Sequence, residues 1–371
     1  MKVPFYDATR EYKYYKADFD KAISDVIESG AFILGKQVQE FEDAVCKYTG
    51  AKYAVGVANG SDALIIASDI LGYKQGAEVL TPVFTFFASA SCIVRLGGKP
   101  VFCDVDEDSF CMDIKDASNR ITNDTRGILP VHLFLQTADM EACIELAKNN
   151  RLTVLEDAAE AFGMSTMYNG EYIHAGLTGD FGIYSFFPTK TLGGYGDGGM
   201  IVTNNEELYK KAKCYRTHGS NKKYHHEYIG YNSRLDTLQA AILKIKLNHI
   251  NDAIKKRAEH AAQYRNLLKD IDEIKLPVIK NGNKEVNYVF CIKTEKRDTL
   301  EEYLKSKEIG TSVYYPVPLH LQKCFEYLKY KKGDFPVAEK LCERVLALPM
   351  FPELTEDEVS FVCECIKEFF R

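Results

Sequence analysis

The chain has no surplus of basic residues: 47 Lys and Arg face 53 Asp and Glu over 371 positions, a formal net charge of −6. A nucleic-acid binder needs a basic surface, so that class is disfavoured. No run approaches the roughly 18 uncharged apolar residues of a membrane span. The first ten residues, Met1 to Arg10, are mixed and charged and contain no apolar stretch that reads as a signal peptide. Cysteine is present in an odd number, 11, without a CxxC pair. The nearest pair, Cys363 and Cys365, points to different faces of a helix. None of the 8 histidines shows HExxH or a similar ligand spacing. Disulfide and zinc frameworks are therefore disfavoured, buried thiols acting as small apolar groups, and the expected compartment is the cytoplasm. Internal repeats, low-complexity tracts and disordered linkers are also missing.

What is present is the balance of an ordinary soluble globular protein with ample material for a core, 46% hydrophobic and 27% charged. Phe19, Ala22, Ile23, Val26 and Ile27 mark one face of a helix that Gly30 stops. Short apolar runs follow at Tyr53–Val57, Glu78–Leu80, Pro100–Asp104, Gly127–Val131 and Thr153–Glu156, each succeeded by a helical stretch. That alternation predicts βαβ units and a parallel sheet buried on both faces. The rhythm changes near residue 180. Asp180–Phe187 and Met200–Thr203 read as strands joined by a glycine-rich segment with no room for a crossover helix. A long helical pattern runs from Leu235 into Lys269 with a break at Asn248–Asn251. Beyond residue 270 the expectation is a smaller α+β unit: a strand at Val286–Ile292, helices at Leu300–Lys307, Pro336–Leu346 and Thr355–Phe370, and a turn at Pro316–Pro318. The expected division is a large sheet domain over 1–250 and a small domain over 251–371, with the N-terminal segment able to pack on the latter.

Four segments lie where a strand ends, the place where open α/β sheets bind ligands. Asn59-Gly60-Ser61-Asp62-Ala63-Leu64 reads either as a plain helix cap or as an anion site of free N–H groups and a hydroxyl. Thr81–Ala90 holds Phe84, Phe86 and Phe87; two of these rings are expected in the core, and an exposed one could wall a slot for a flat cofactor. Leu155-Glu156-Asp157-Ala158-Ala159-Glu160 puts two acids at the end of an apolar strand, costly unless they meet a cation or strong donors. Asp157 either caps the next helix or faces a protonated heterocyclic nitrogen. Finally, Phe181–Gly199 places Lys190 after an apolar strand and before five glycines in seven residues. A lysine amine is a poor nucleophile at neutral pH unless desolvated or engaged as an imine. A phosphate cradle, an aromatic wall, an acid for a ring nitrogen and a lysine together make up a pyridoxal phosphate site.

With these segments the sequence closely resembles the DegT/DnrJ/EryC1/StrS family of pyridoxal-phosphate-dependent nucleotide-sugar aminotransferases. The resemblance runs through Gly35, Asn59–Leu64, Pro82–Ala90, Glu156–Ala161, Ser185–Gly199, Arg216–Gly219, Gly230–Asp236, Gln239–Ala241 and Tyr315–His320. It implies the aspartate aminotransferase (type I) fold, an α/β architecture with a large mostly parallel sheet domain and a smaller C-terminal α+β domain. It implies that Lys190 joins the cofactor's aldehyde and shuttles protons, and that Asp157 pairs with the pyridine nitrogen. Phe86 would stack on the ring. Gly60, Ser61, Asp62 and Ser185 would hold the phosphate, and Asn232 would reach it from a neighbouring subunit, which makes the enzyme a homodimer with shared sites. Where many relatives carry Gln or His near the phenolic oxygen, this chain carries Glu160, and a carboxylate beside a phenolate is repulsive unless one is protonated. Tyr184, His225, Arg234, Tyr314, Tyr315 and His320 are candidate substrate contacts, with packing or surface roles as the alternative.

Family members that remove a sugar hydroxyl replace the lysine with histidine, so Lys190 favours transamination, with L-glutamate as donor. The Pro188–Gly199 run and Lys223-Tyr224-His225-His226 resemble the variants found in enzymes acting on 3-keto sugars. The expected substrate is a dTDP-3-keto-6-deoxyhexose, feeding surface glycan synthesis. A UDP-linked 3-keto-hexuronic acid, a C4-keto sugar and a non-catalytic cofactor-binding regulator are the alternatives.

Overall fold

The computed structural model describes residues 1–279 and 282–371. Its first strands are β1 (Tyr53–Val57), β2 (Glu78–Pro82), β3 (Lys99–Cys103), β4 (Thr125–Ile128) and β5 (Thr153–Asp157). A hairpin of β6 (Ser165–Tyr168) and β7 (Glu171–His174) follows, then β8 (Phe181–Ser185) and β9 (Gly199–Thr203). Seven of these form one sheet in the order β1-β9-β8-β5-β4-β2-β3. From β8 across to β3 every pairing is parallel, whereas β9 is antiparallel to both its neighbours. The strands are buried almost end to end, as a sheet covered by helices on both faces requires. β9 is reversed because the glycine-rich connection after β8 is too short for a crossover helix.

Several expected boundaries moved for local reasons. β4 stops at Ile128, since Pro130 has no N–H for the ladder. After β10 (Ser220–Lys222), β11 (His225–His226) and β12 (Asn283–Lys284), the strand expected from Val286 is β13, Phe290–Lys293; Asn287 before it adopts a φ of 47°. The last turn of the expected helix at Pro336–Leu346 is instead strand β14, Val345–Leu348, which pairs antiparallel with β13. The hairpin β6–β7 was not expected, although Asn169-Gly170, both at positive φ (49° and 83°), is a strong hairpin signal. Of the first helical face, now Lys16–Ser29, only Phe19 and Val26 are buried, and Ile27 is exposed.

Two cores result. The larger surrounds the seven-stranded sheet. The smaller gathers Tyr264, Leu268, Phe290, Leu300, Leu346 and Val362 with Val3, which forms a parallel bridge to Ile309. The helix Ile250–Leu268 serves both, since Ile250 belongs to the first core and Tyr264 and Leu268 to the second.

A buried ion pair fixes the sheet edge. Glu42, on helix Lys36–Thr49, accepts from Gly56 N (2.8 Å) and from the Arg216 guanidinium, which also donates to Gly56 O (2.9 Å). Arg216 O in turn accepts Ser233 N–H, and Thr217 bridges to Asn232, so this pair seats the Asn232 turn against β1. Glu42→Ala would strand a buried guanidinium and an amide, and should cost about 3 kcal/mol, read as a lower denaturant midpoint with an unchanged slope.

Candidate active site

A cavity of about 490 Å³ opens at the carboxyl ends of β5 and β8. Its floor is Asp157, 4% exposed at the end of β5. Oδ2 accepts from Ser89 Oγ (2.7 Å) and Oδ1 from Ala159 N (3.1 Å). Burial pushes this carboxyl up, while the Ser89 and Ala159 donors and the Lys190 charge pull it back; the net direction is upward. A buried carboxylate held this way keeps affinity for a cationic partner in the cavity.

Glu156, one residue earlier, faces the other way and is wholly buried. It accepts N–H bonds from Gly176 (2.9 Å), Thr178 (2.7 Å) and Gly179, and meets His132 Nε2 at 2.9 Å. His132 Nδ1 accepts Ala138 N–H, so Nε2 is the ring nitrogen that faces Glu156 as a donor. The two acids expected to need strong donors both have them.

Lys190 follows β8 on the turn Pro188–Thr191, and its Nζ lies 3.1 Å from Glu160 Oε1. The Tyr288 ring lies over the same nitrogen, 4.5 Å from centroid to Nζ. Glu160 Oε2 accepts Phe134 N–H at 3.1 Å.

The helix Gly60–Ile70 points its N-terminus at the cavity, with Ser61 and, across from it, Ser185 on the wall. A Cβ on residue 60 would come within 2.8 Å of Ser185 Cβ, so glycine keeps this concavity open. The N–H of Asp62 is taken by Asn59 Oδ1 (2.8 Å), and Asp62 does not line the cavity; the free donors are those of Gly60 and Ser61. Unpaired N–H groups at a helix start, two hydroxyls and a glycine-shaped hollow suit a phosphate.

Phe86 is 59% exposed and forms a wall. Only Phe84 of the three phenylalanines is in the core; Phe87 is partly exposed and packs on Phe325. Tyr314 and Tyr315 also line the cavity. Asn232 and Arg234 instead line a second hollow that shares Asn59 and Asp197 with the first.

Three expected substrate contacts are corrected. Tyr184 is fully buried, its hydroxyl donating to Ala175 O (2.6 Å), because alternate residues of β8 face away from the cavity. His320 is buried against Phe335 with Nε2 at 3.1 Å from Glu339. His225 lies outside the cavity, exposed on the small hairpin of β10 (Ser220–Lys222) and β11 (His225–His226). Ser89, His132 and Tyr288 were missed as site residues. Ser89 had a signal: it lies one helical turn after Thr85, to which its hydroxyl bonds (3.2 Å). Tyr288 had none, since its approach to Lys190 depends on the tertiary fold.

The model of the DegT/DnrJ/EryC1/StrS aminotransferase family matches residues 13–367. The chain belongs to this family. As a DegT-family member it is similar over its full length to a pleiotropic regulatory protein of Geobacillus stearothermophilus (46% identical, 99% of that protein covered). It is 39% identical to a UDP-N-acetyl-3-dehydro-alpha-D-glucosamine 3-aminotransferase of Acidithiobacillus ferrooxidans, over 98% of this chain and 97% of that one. It is 38% identical to a dTDP-3-amino-3,4,6-trideoxy-alpha-D-glucose transaminase of Streptomyces venezuelae, over 99% and 96%. Among solved structures, that of S. venezuelae DesV in complex with a ketimine intermediate superposes with a TM-score of 0.96 at 37% identity, covering 100% of this chain and 99% of that one. The fold is thus the aspartate aminotransferase (type I) fold, and the cofactor of this DegT-family chain is pyridoxal 5′-phosphate. The cavity residues fit it: an acid at the floor, a lysine, an aromatic wall and a phosphate-sized concavity.

Ser89→Ala removes the shortest donor to Asp157 and leaves its negative charge less stabilised. Loss of one hydrogen bond to a charged group predicts cofactor binding weaker by about tenfold, measurable by absorbance titration of the cofactor-free protein.

Proposed function

We propose that this DegT-family protein transfers the amino group of L-glutamate to the ketone of a nucleotide-linked 3-keto sugar. The observation that carries this reading is the juxtaposition of Lys190 and Asp157 in one cavity, since a protein that only bound the cofactor would need neither a reactive amine nor a ring-nitrogen acid together. Pyridoxal phosphate, when bound, supplies an electron-accepting ring that stabilises negative charge on the carbon losing a proton. In this reading Asp157 holds the ring nitrogen's proton by its own negative charge. Lys190 Nζ anchors the cofactor, and after release moves a proton at the carbon bearing the transferred nitrogen. Gly60, Ser61 and Ser185 anchor the phosphate, Phe86 stacks on one ring face, and Tyr314 and Tyr315 limit the space left for the sugar. The net reaction exchanges amine and carbonyl: glutamate leaves as its 2-oxo acid and the sugar ketone becomes an amine.

A dTDP-linked 3-keto-6-deoxyhexose is the preferred substrate. Among the described residues, Lys190 is the one Lys or Arg lining the cavity, and Glu160 already pairs with it. Glutamate and a sugar diphosphate both carry anions, so further cations must come from beyond this wall; a uronate would add one more unmet charge. Arg234 on the second hollow and Lys222 and Lys223 on the exposed hairpin are the sources in a homodimer that shares its sites. That arrangement is supported by Phe32, Ile33 and Leu34, exposed apolar residues of which Ile33 lines the same hollow as Asn232. Nine of the 11 cysteines are buried and none forms a disulfide among the described residues, which accords with a reducing compartment such as the cytoplasm.

The 46% relative with a regulatory name motivates a second reading, a cofactor-binding protein without turnover. The purified holoprotein should be yellow and lose its colour on adding glutamate alone, then transfer the amine to a dTDP-3-keto sugar. Lys190→Ala should abolish transfer and covalent labelling by borohydride. A yellow protein indifferent to glutamate would favour the regulator, and full transfer by Lys190→Ala would overturn the assignment of the lysine.

A further inference from the structure

Glu160 lines the cavity beside Lys190, and its carboxylate adds a charge there. Its position is fixed at both oxygens: Oε1 lies 3.1 Å from Lys190 Nζ and Oε2 accepts Phe134 N–H at 3.1 Å. It cannot swing away without leaving that buried amide unpaired. Both side chains are largely out of water, 15% exposed for the lysine and 9% for the glutamate, so the pair is weakly screened.

The other groups that face this pair come from every neighbouring element. Asp157 approaches from the end of β5, Tyr288 from the segment before β13, and Tyr314 from the segment after the helix Arg297–Ser306; Tyr315 and Cys291 face Glu160. None of these is a second cation. Burial alone would push the Lys190 ammonium toward its neutral form, but the Glu160 charge, with Tyr288, outweighs it and the net direction is upward.

The geometry points to Glu160 as the group that fixes a proton on the Lys190 nitrogen and so sets how alkaline the medium must be before that nitrogen can attack an aldehyde. Only the unprotonated amine adds to the carbonyl: the ammonium proton leaves to solvent, a carbon–nitrogen double bond forms and water departs. A glutamine at 160 keeps the amide acceptor for Phe134 N–H and removes the charge. The inference rests on Lys190 being the cofactor's anchor.

The test follows covalent uptake of pyridoxal 5′-phosphate by cofactor-free protein. Its visible band is recorded against time from about pH 6 to about pH 10, below and up to the ordinary lysine range. Glu160→Gln should move the midpoint of the rate profile to lower pH by at least about one unit, about tenfold faster uptake at neutral pH. Glu160→Asp keeps the charge one methylene further back, so its midpoint should fall between the two. Profiles of Glu160→Gln coincident with the parent, or displaced to higher pH, overturn the inference. Should that variant not fold by circular dichroism, a Glu160→Asp profile identical to the parent does so instead. Lys190→Ala separates the two layers: covalent uptake in that variant sinks the lysine assignment itself. Its absence, with unmoved Glu160 profiles, sinks the role of Glu160 alone.

Discussion

An ionisable carboxyl at the end of a strand buried on both faces is tolerated only where donors converge on it, and Asp157 organises this molecule around that requirement. Its backbone N–H donates to Pro130 O (2.9 Å) and its carbonyl accepts His132 N–H (3.0 Å), which ties β5 to the segment after β4. Its side chain draws in Ser89 from the first turn of Ala88–Arg95 and the amide of Ala159. The neighbouring Glu156 does the same on the opposite face, gathering three amides and the His132 imidazole. Two adjacent acids with separate partner sets leave the strand end little freedom. A rigid acid is what a ring nitrogen needs if its proton is to stay in place through a reaction.

The periodicity of apolar residues made the large sheet legible. β1, β2, β3 and β5 lie where short β-branched runs end in small or polar residues, and the glycine-rich segment after β8 marked the absence of a crossover helix, whose consequence is the reversed strand β9. The phosphate concavity and the Lys190 turn were legible because glycine, serine and lysine at strand ends have few other uses there. Side-chain direction within a strand was less readable. Tyr184 sits on the residue parity of β8 that faces the core, and its neighbour Ser185 on the parity that faces the cavity. His320 is taken up by Glu339, a partner on another element. Tyr288 reaches Lys190 from a segment about a hundred positions away, and no local pattern encodes such an encounter. The hairpin β6–β7 was readable from Asn169-Gly170 and was overlooked.

The two hollows differ in kind. The first is enclosed by one chain's acids, aromatics and paired lysine; the second carries Asn232 and Arg234 beside exposed apolar residues. The Arg216–Glu42 pair holds the turn that bears Asn232, so an ion pair far from the reacting atoms governs where that amide is presented.

The reversed strand has a bearing on how the chain is made. β1 pairs in the sheet with β9 alone, Tyr53 opposite Thr203, so the first strand of that sheet to be synthesised stays unmatched until the sheet's last strand emerges. Every strand between them is synthesised while that edge is open. Such distant pairing slows folding and exposes a bare strand edge to other chains during translation. The nascent polypeptide therefore has a long interval in which the bare edge of β1 can only be protected by its own helices or by shielding from outside the chain.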